Sequence, residues 1–177
     1  MSTREALLAD QRRWAIEQQI TFDERGYLPS YRANLWRPLS AVAMRCYDRG
    51  SGSELRPGKT RPAKMCALHS SSALVANVFD YWSERDAAPL LEALGVGAAE
   101  EAPRFEVQFP TGLEGNPPNL DVAVRLRSGH TLAIESKFCE WLTPKSSLKP
   151  TFKDKYFSPT ADLWERAGLP YCQQLAN

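Results

Sequence analysis

The sharpest alternation of apolar and polar positions in the chain runs from Asn119 to Phe138. Leu120, Val122, Val124 and Leu126 alternate with Asp121, Ala123 and Arg125; further on, Leu132, Ile134, Ser136 and Phe138 alternate with Ala133, Glu135 and Lys137. A period of two predicts two β-strands, each with its apolar set on one face and its charged set on the other. Residues directly opposite in an antiparallel pair share a face, so the turn decides whether the two charged sets meet. A two-residue Ser128-Gly129 loop would set Val122 against Glu135 and mix the faces. A three-residue loop, Arg127-Ser128-Gly129, with the glycine in the left-handed position of a G1 bulge, keeps them apart. It pairs Val122 with Ile134 and Val124 with Leu132, and it brings Asp121 opposite Glu135.

Upstream, RFEVQF alternates as a further strand, with Phe105, Val107 and Phe109 on one face and Glu106 and Gln108 on the other, which makes the sheet a three-stranded meander. The earlier pattern is helical. Ser2 and Glu5 form a capping box before ALLADQRRWAIEQQI, whose Leu7, Leu8, Trp14, Ile16 and Ile20 are expected to be partly buried. A second helix spans roughly Leu39 to Asp48, with Pro38 at its start and Gly50 just past its end. His69 to Ser72 cap ALVANVFDYWSE, where Leu74, Val78, Phe79 and Trp82 recur at helical spacing and predict the helix that packs on the sheet. A short helix, PLLEALG, follows Pro89 and stops at Gly95, with Glu84 and Glu92 facing solvent. Beyond the hairpin, residues 143–159 read as an exposed Lys-, Pro- and Ser-rich loop. Thr160 then caps ADLWERAG, and Pro170 opens PYCQQLAN, within which the chain stops.

Composition changes this picture little. The 177 residues suffice for one domain, residues 1–64 forming a helical extension with a basic loop and 65–177 the core. The N-terminus lacks a signal peptide's apolar run and nothing is long enough to span a bilayer, so a cytoplasmic location and no membrane partner are expected. Cys46, Cys66, Cys139 and Cys172 stand too far apart for zinc spacing and read as reduced thiols. Gly58-Lys59-Thr60 is no phosphate loop, since Ser53 stands where that motif needs glycine and no strand precedes it. Net charge is +1, yet Arg56, Lys59, Arg61 and Lys64 form one basic segment and Lys145, Lys149, Lys153 and Lys155 another, while residues 84–106 are mostly acidic. Such segments can neutralise phosphates or simply face water.

The charged face of the hairpin carries the candidate chemistry. A solvated face with a cross-strand salt bridge is the plain reading of Asp121, Glu135 and Lys137. Ala123 and Ala133, however, leave room around two carboxylates that repel unless protonated or shared by a cation, and a hard ion such as Mg²⁺ suits oxygen donors of this kind. NLD at one strand and IESKF in the next, preceded by ALHSSSALVANVFDYW and continued as IESKFCEW, resemble the PD-(D/E)XK nuclease superfamily, and within it a bacterial restriction-endonuclease-like group, over residues 65–177.

The resemblance implies an α/β (α+β) fold with a restriction-endonuclease-like αβββαβ core whose last strand is missing here. It makes Asp121, Glu135 and Lys137 the catalytic set, with Leu120 in place of the motif's proline and Glu106 or Glu84 as an additional acid. Asp121, Glu135 and the Ser136 backbone carbonyl would hold Mg²⁺, for which Mn²⁺ could substitute, and Lys137 would position or deprotonate the attacking water. Arg125, Lys145, Lys149, Lys153 and Lys155 would bind backbone phosphates of DNA, and a homodimer is compatible with the fold. The expected activity is metal-dependent hydrolysis of DNA phosphodiesters, of restriction or repair type. The alternatives are a catalytically inactive nuclease fold that binds nucleic acid or a protein, and a plain structural domain.

Overall fold

The computed structural model describes residues 1–50, 53–110 and 117–142. The helix expected after Thr160, the lysines at 145–155 and Cys172 lie outside them. Within this range the protein is α+β: four helices and one three-stranded antiparallel sheet. The chain divides into two compact units, one of residues 1–108 and 119–143, the other of 109–118 and 144–177. Of the second unit only Phe109, Pro110, Pro117 and Pro118 are described, with the Phe109 N–H donating to the Pro118 carbonyl at 2.9 Å.

Helix α1 (Thr3–Glu17) starts at the expected capping box, the Ser2 hydroxyl accepting from the Glu5 N–H and the Glu5 carboxylate from the Ser2 N–H. Its inward stripe is Arg4, Leu8, Gln11 and Ala15, so Trp14 and Ile16, expected to be partly buried, stand exposed. The reason is the helix's support. It rests on a small cluster in which Ala15 meets Leu28 and Leu68, and only a narrow, small-residue stripe fits there.

Helix α2 (Ala41–Arg49) begins at the Ser40 N-cap, slightly later than the sequence suggests, and ends at Gly50. Its Ala43 and Tyr47 enter the main core, where Tyr47 stacks on Phe105 with ring centroids 5.5 Å apart. Helix α3 (Ser71–Phe79) is capped by Ser70 and runs on as a 3₁₀ turn to Glu84. The expected stripe of Leu74 and Val78 faces solvent, and Ala73, Ala76, Asp80 and Ser83 face inward instead. Asp80 sets this rotation: its carboxylate accepts from the Ser40 N–H at 2.8 Å and from the Ser40 hydroxyl, locking α3 to the start of α2. Phe79 and Trp82 remain partly buried against the core, as expected. Helix α4 (Ala88–Ala93) has Pro89 in its first turn and Gly95 just beyond.

Strands β1 (Arg104–Gln108), β2 (Asn119–Arg125) and β3 (Thr131–Ile134) lie in the order β1-β2-β3. The hairpin register is the one parity requires, Val122 opposite Ile134 and Val124 opposite Leu132, with Gly129 at φ +83°. Phe105, Val122 and Val124 are fully buried against α2 and α3, while Phe109, expected on the same face as Phe105, is exposed. The second arm is shorter than the alternation suggests, for the ladder stops at Ile134. Residues 135–137 leave regular pairing because the Asp121 side chain, rather than a β2 carbonyl, takes the Ser136 N–H at 2.6 Å. Among the described residues no helix is long and apolar enough to cross a membrane.

Candidate functional site

Asp121 is the centre of a row of three acids. The β1–β2 register places Arg104 opposite Ala123, Phe105 opposite Val122, and Val107 opposite Leu120, so Glu106 falls opposite Asp121. One step beyond the last β2–β3 pair, the same count sets Glu135 opposite Asp121 on the other side. Glu106 drops out of the ladder because its backbone sits at φ +50°, a region that a non-glycine residue occupies only at a cost. Gly50 leaves space for this bend; a Cβ there would stand 3.0 Å from Cβ of Glu106. The Asn119 amide donates to Glu106 Oε2 at 3.0 Å.

Asp121 and Glu106 open into a polar cavity of about 780 Å³, together with Glu54, Arg61, Lys64, His69, Lys137 and Glu140. Glu54 is 5% exposed and has two donors, Lys64 Nζ at 2.9 Å and the Ser72 hydroxyl. Lys137 Nζ stands 4.0 Å from Asp121 Oδ2, donates to Glu135 Oε1, and lies 3.4 Å from the Ser136 carbonyl. Glu140 folds back to accept from the N–H groups of Phe138 and Cys139 at 2.8 and 3.0 Å, which fixes the segment leading out of the site.

Electrostatically the cavity is crowded with negative charge. Burial raises the Glu106 pKa, and the neighbouring Glu54 and Asp121 charges raise it further, against the Asn119 hydrogen bond and Lys64. Burial also raises Asp121, with the Ser136 N–H and Lys137 opposing and Glu135 and Glu54 reinforcing. Tyr47 feels the same field: burial and then Glu106, Glu54 and Asp121 push its phenol far up. For Lys137, burial works against the charge, but the Glu135 hydrogen bond and the charges of Glu135, Asp121 and Glu140 raise its pKa.

The residues singled out in the sequence are not all in one place. Asp121, Lys137 and Glu106 line the cavity; Glu135, 55% exposed, stands at its rim on Lys137. Glu84 is exposed at the end of the turn after α3 and does not line the cavity. Arg125 is exposed and paired with Glu100 at 3.1 Å, again off the cavity. Of the basic loop, Arg61 and Lys64 turn toward the acids, whereas Arg56 pairs with Asp48.

Glu54 was not foreseen, because the segment around it has no periodicity and reads as an exposed loop. The one available signal is a lone acid beside Leu55 in an otherwise basic stretch, Leu55 being packed against the main core. Among the described residues no three His, Cys, Asp or Glu side chains converge closely enough to enclose a metal by themselves.

No curated protein and no solved structure matches the chain significantly. A family model described as "Restriction Endonuclease associating with ARP" matches residues 5–175, nearly the whole length. With its acid row, its lysine and this match in hand, the chain belongs to the REase-ARP family and is restriction-endonuclease-like.

Proposed function

We propose that the protein is a metal-dependent nuclease that hydrolyses DNA phosphodiester bonds at the Asp121 cavity, on a PD-(D/E)XK core of αβββαβ order. The observation that carries this reading is the ammonium of Lys137 reaching both Asp121 and Glu135 at the mouth of a cavity that Glu106 also lines. The donor set fits a hard divalent ion. It offers only oxygens, two acids in it are held above the usual carboxylate range, and Mg²⁺ commonly takes one or two protein carboxylates and fills its remaining positions with water and substrate phosphate.

Asp121, Glu135 and the Ser136 carbonyl would hold Mg²⁺ or Mn²⁺, with Glu106 beside Asp121. The bound ion would polarise the scissile phosphate and acidify a water. Lys137 keeps its proton amid three carboxylates, so its role is to position that water and to neutralise charge developing on the phosphate rather than to take a proton. Glu106, held above the usual range by burial and its neighbours, is better suited to accept the proton. DNA is the substrate in this reading, and the family's description adds an association with ARP.

The experiment is cleavage of plasmid and linear DNA with Mg²⁺ or Mn²⁺ by the full-length protein and by Asp121→Asn and Lys137→Ala. Each variant should lose about 10²–10³-fold or more, the scale of removing one transition-state contact. Undiminished cleavage by either variant overturns the assignment. A second reading has its own support. Glu135 stands half exposed on Lys137 rather than inside the cavity, which also suits a nuclease fold that binds nucleic acid without cutting it. DNA retention with no cleavage in any divalent metal would select it.

A further inference from the structure

The inward stripe of α1 is partly polar, and it borders the acid cavity. Arg4 and Gln11 occupy two of its four positions; the Gln11 amide donates to the Leu68 carbonyl and so clips α1 to the segment that carries His69. Arg4, Arg12, Arg25 and His69 line a cleft of about 170 Å³, and Arg4 and His69 line the acid cavity as well. The arginines meet there without counter-charge: among the described residues none of the three has a carboxylate within 4.0 Å. Arg12 is held by the Glu24 carbonyl at 3.0 Å, and Arg25 lies over the Tyr27 ring, 5.2 Å from its centroid.

Arg4 is the least explained by folding. Its Nε is shielded from water and has no hydrogen-bond partner among the described residues, and it stands in the first turn of α1, where the helix dipole disfavours a cation. His69 reports the field, its pKa lowered by burial and then by Arg4 and Arg12, with Glu140 opposing.

We propose that the cleft between α1 and the His69 segment binds a phosphate group of the nucleic acid, held by Arg4 and Arg12 with Arg25 at the rim. Guanidinium forks match phosphate oxygens in pairs, and the volume admits one phosphate with a few waters. This rests on the nuclease reading: the cleft would grip a phosphate next to the one presented to Asp121 and Lys137, placing the strand without reading its bases. The phosphate is either internal to the strand or a 5′-terminal group.

The test uses the full-length protein with two readouts. Inorganic phosphate, against chloride at equal ionic strength, should raise the melting temperature by about 2–6 °C, and Arg4→Met and Arg12→Met should each remove most of that rise. In DNA binding without divalent metal, the plot of log affinity against log salt should become shallower by about one for each variant. A 5′-phosphorylated and a 5′-hydroxyl duplex separate the sources. Loss of the Arg4 effect with the hydroxyl end assigns the terminal phosphate; an equal effect on both assigns an internal one. Should Arg4→Met fail to fold, the exposed Arg25→Ala and the charge-keeping Arg4→Lys replace it, Arg25→Ala weakening the phosphate response and Arg4→Lys retaining part of it. An unchanged phosphate response and an unchanged salt slope in the folded variants overturn the proposal. A wild type that responds to phosphate but binds no DNA overturns the nuclease reading instead.

Discussion

Asp80 and Asp121 both border the same apolar core, yet one is surrounded by donors and the other by acids. Asp80, 1% exposed, accepts from the backbone N–H and the hydroxyl of Ser40, and Arg37 stands 4.0 Å away. Asp121 accepts one backbone N–H, has Lys137 4.0 Å off, and stands between Glu106 and Glu135 across the sheet. A carboxylate whose donors are all supplied by neighbouring elements joins those elements, here α2 and α3. Burial and neighbouring carboxylates raise the pKa of Glu106 and of Asp121, which weakens the fold they sit in, and such frustration is characteristic of sites kept for chemistry.

The contrast breaks most visibly on truncation. Asp80→Ala strands the Ser40 N–H at the start of α2 and takes from Arg37 the carboxylate 4.0 Å away, so it should cost about 3 kcal/mol in urea denaturation at neutral pH. Asp121→Ala removes one hydrogen bond and a repulsion together, and should stay within about 1 kcal/mol of wild type. Equal losses in the two variants would erase the distinction between a carboxylate of the fold and one of the site.

A smaller effect should link the two properties at the hairpin. Gly129 has open space where a Cβ would go, so Gly129→Ala meets no clash and acts through its φ of +83° alone, costing about 1 kcal/mol. The turn fixes the register that sets Asp121 opposite Glu135, and so cleavage should fall together with stability, whereas a variant at Ser40 of equal cost should leave cleavage per folded molecule unchanged. Measuring both variants at a temperature where each is fully folded separates the two outcomes.

Much of this was legible because it depends on parity or on local chemistry. The hairpin register follows from which side chains can share a face, and the cap at Ser2 and the one within His69 to Ser72 follow from hydroxyls placed before helical runs. What was not legible depends on contacts distant in sequence. The rotation of α3 is set by Asp80 meeting Ser40, forty residues away, and this turns Leu74 and Val78 outward against their spacing. Glu54 reaches the cavity from a loop with no period, through Lys64 and Ser72. The left-handed backbone of Glu106 has no signal in RFEVQF, where a plain strand is the better local reading, and it depends on the absence of a side chain at Gly50.

That strained glutamate gives the smallest effect and the most specific one. Glu106 and Asp121 have pKa values raised on folding, so the native state still holds protons where the unfolded chain has released them. Stability contributed by these groups is therefore fullest at low pH and declines as pH rises from the ordinary carboxylate range through their raised values. Glu106→Gln keeps an acceptor for Asn119 and removes one charge; with solvent screening a half-buried group, it should stabilise the protein by only about 0.5 kcal/mol at pH 8 and by nothing at pH 4. By the same logic, Mg²⁺ or Mn²⁺ should raise the melting temperature more at pH 8 than at pH 5 in the wild type, and less in Glu106→Gln. If the metal-induced rise were independent of both pH and Glu106, the acid row would be a solvated face of the sheet and the resemblance of its environment to a metal site would have no chemical content.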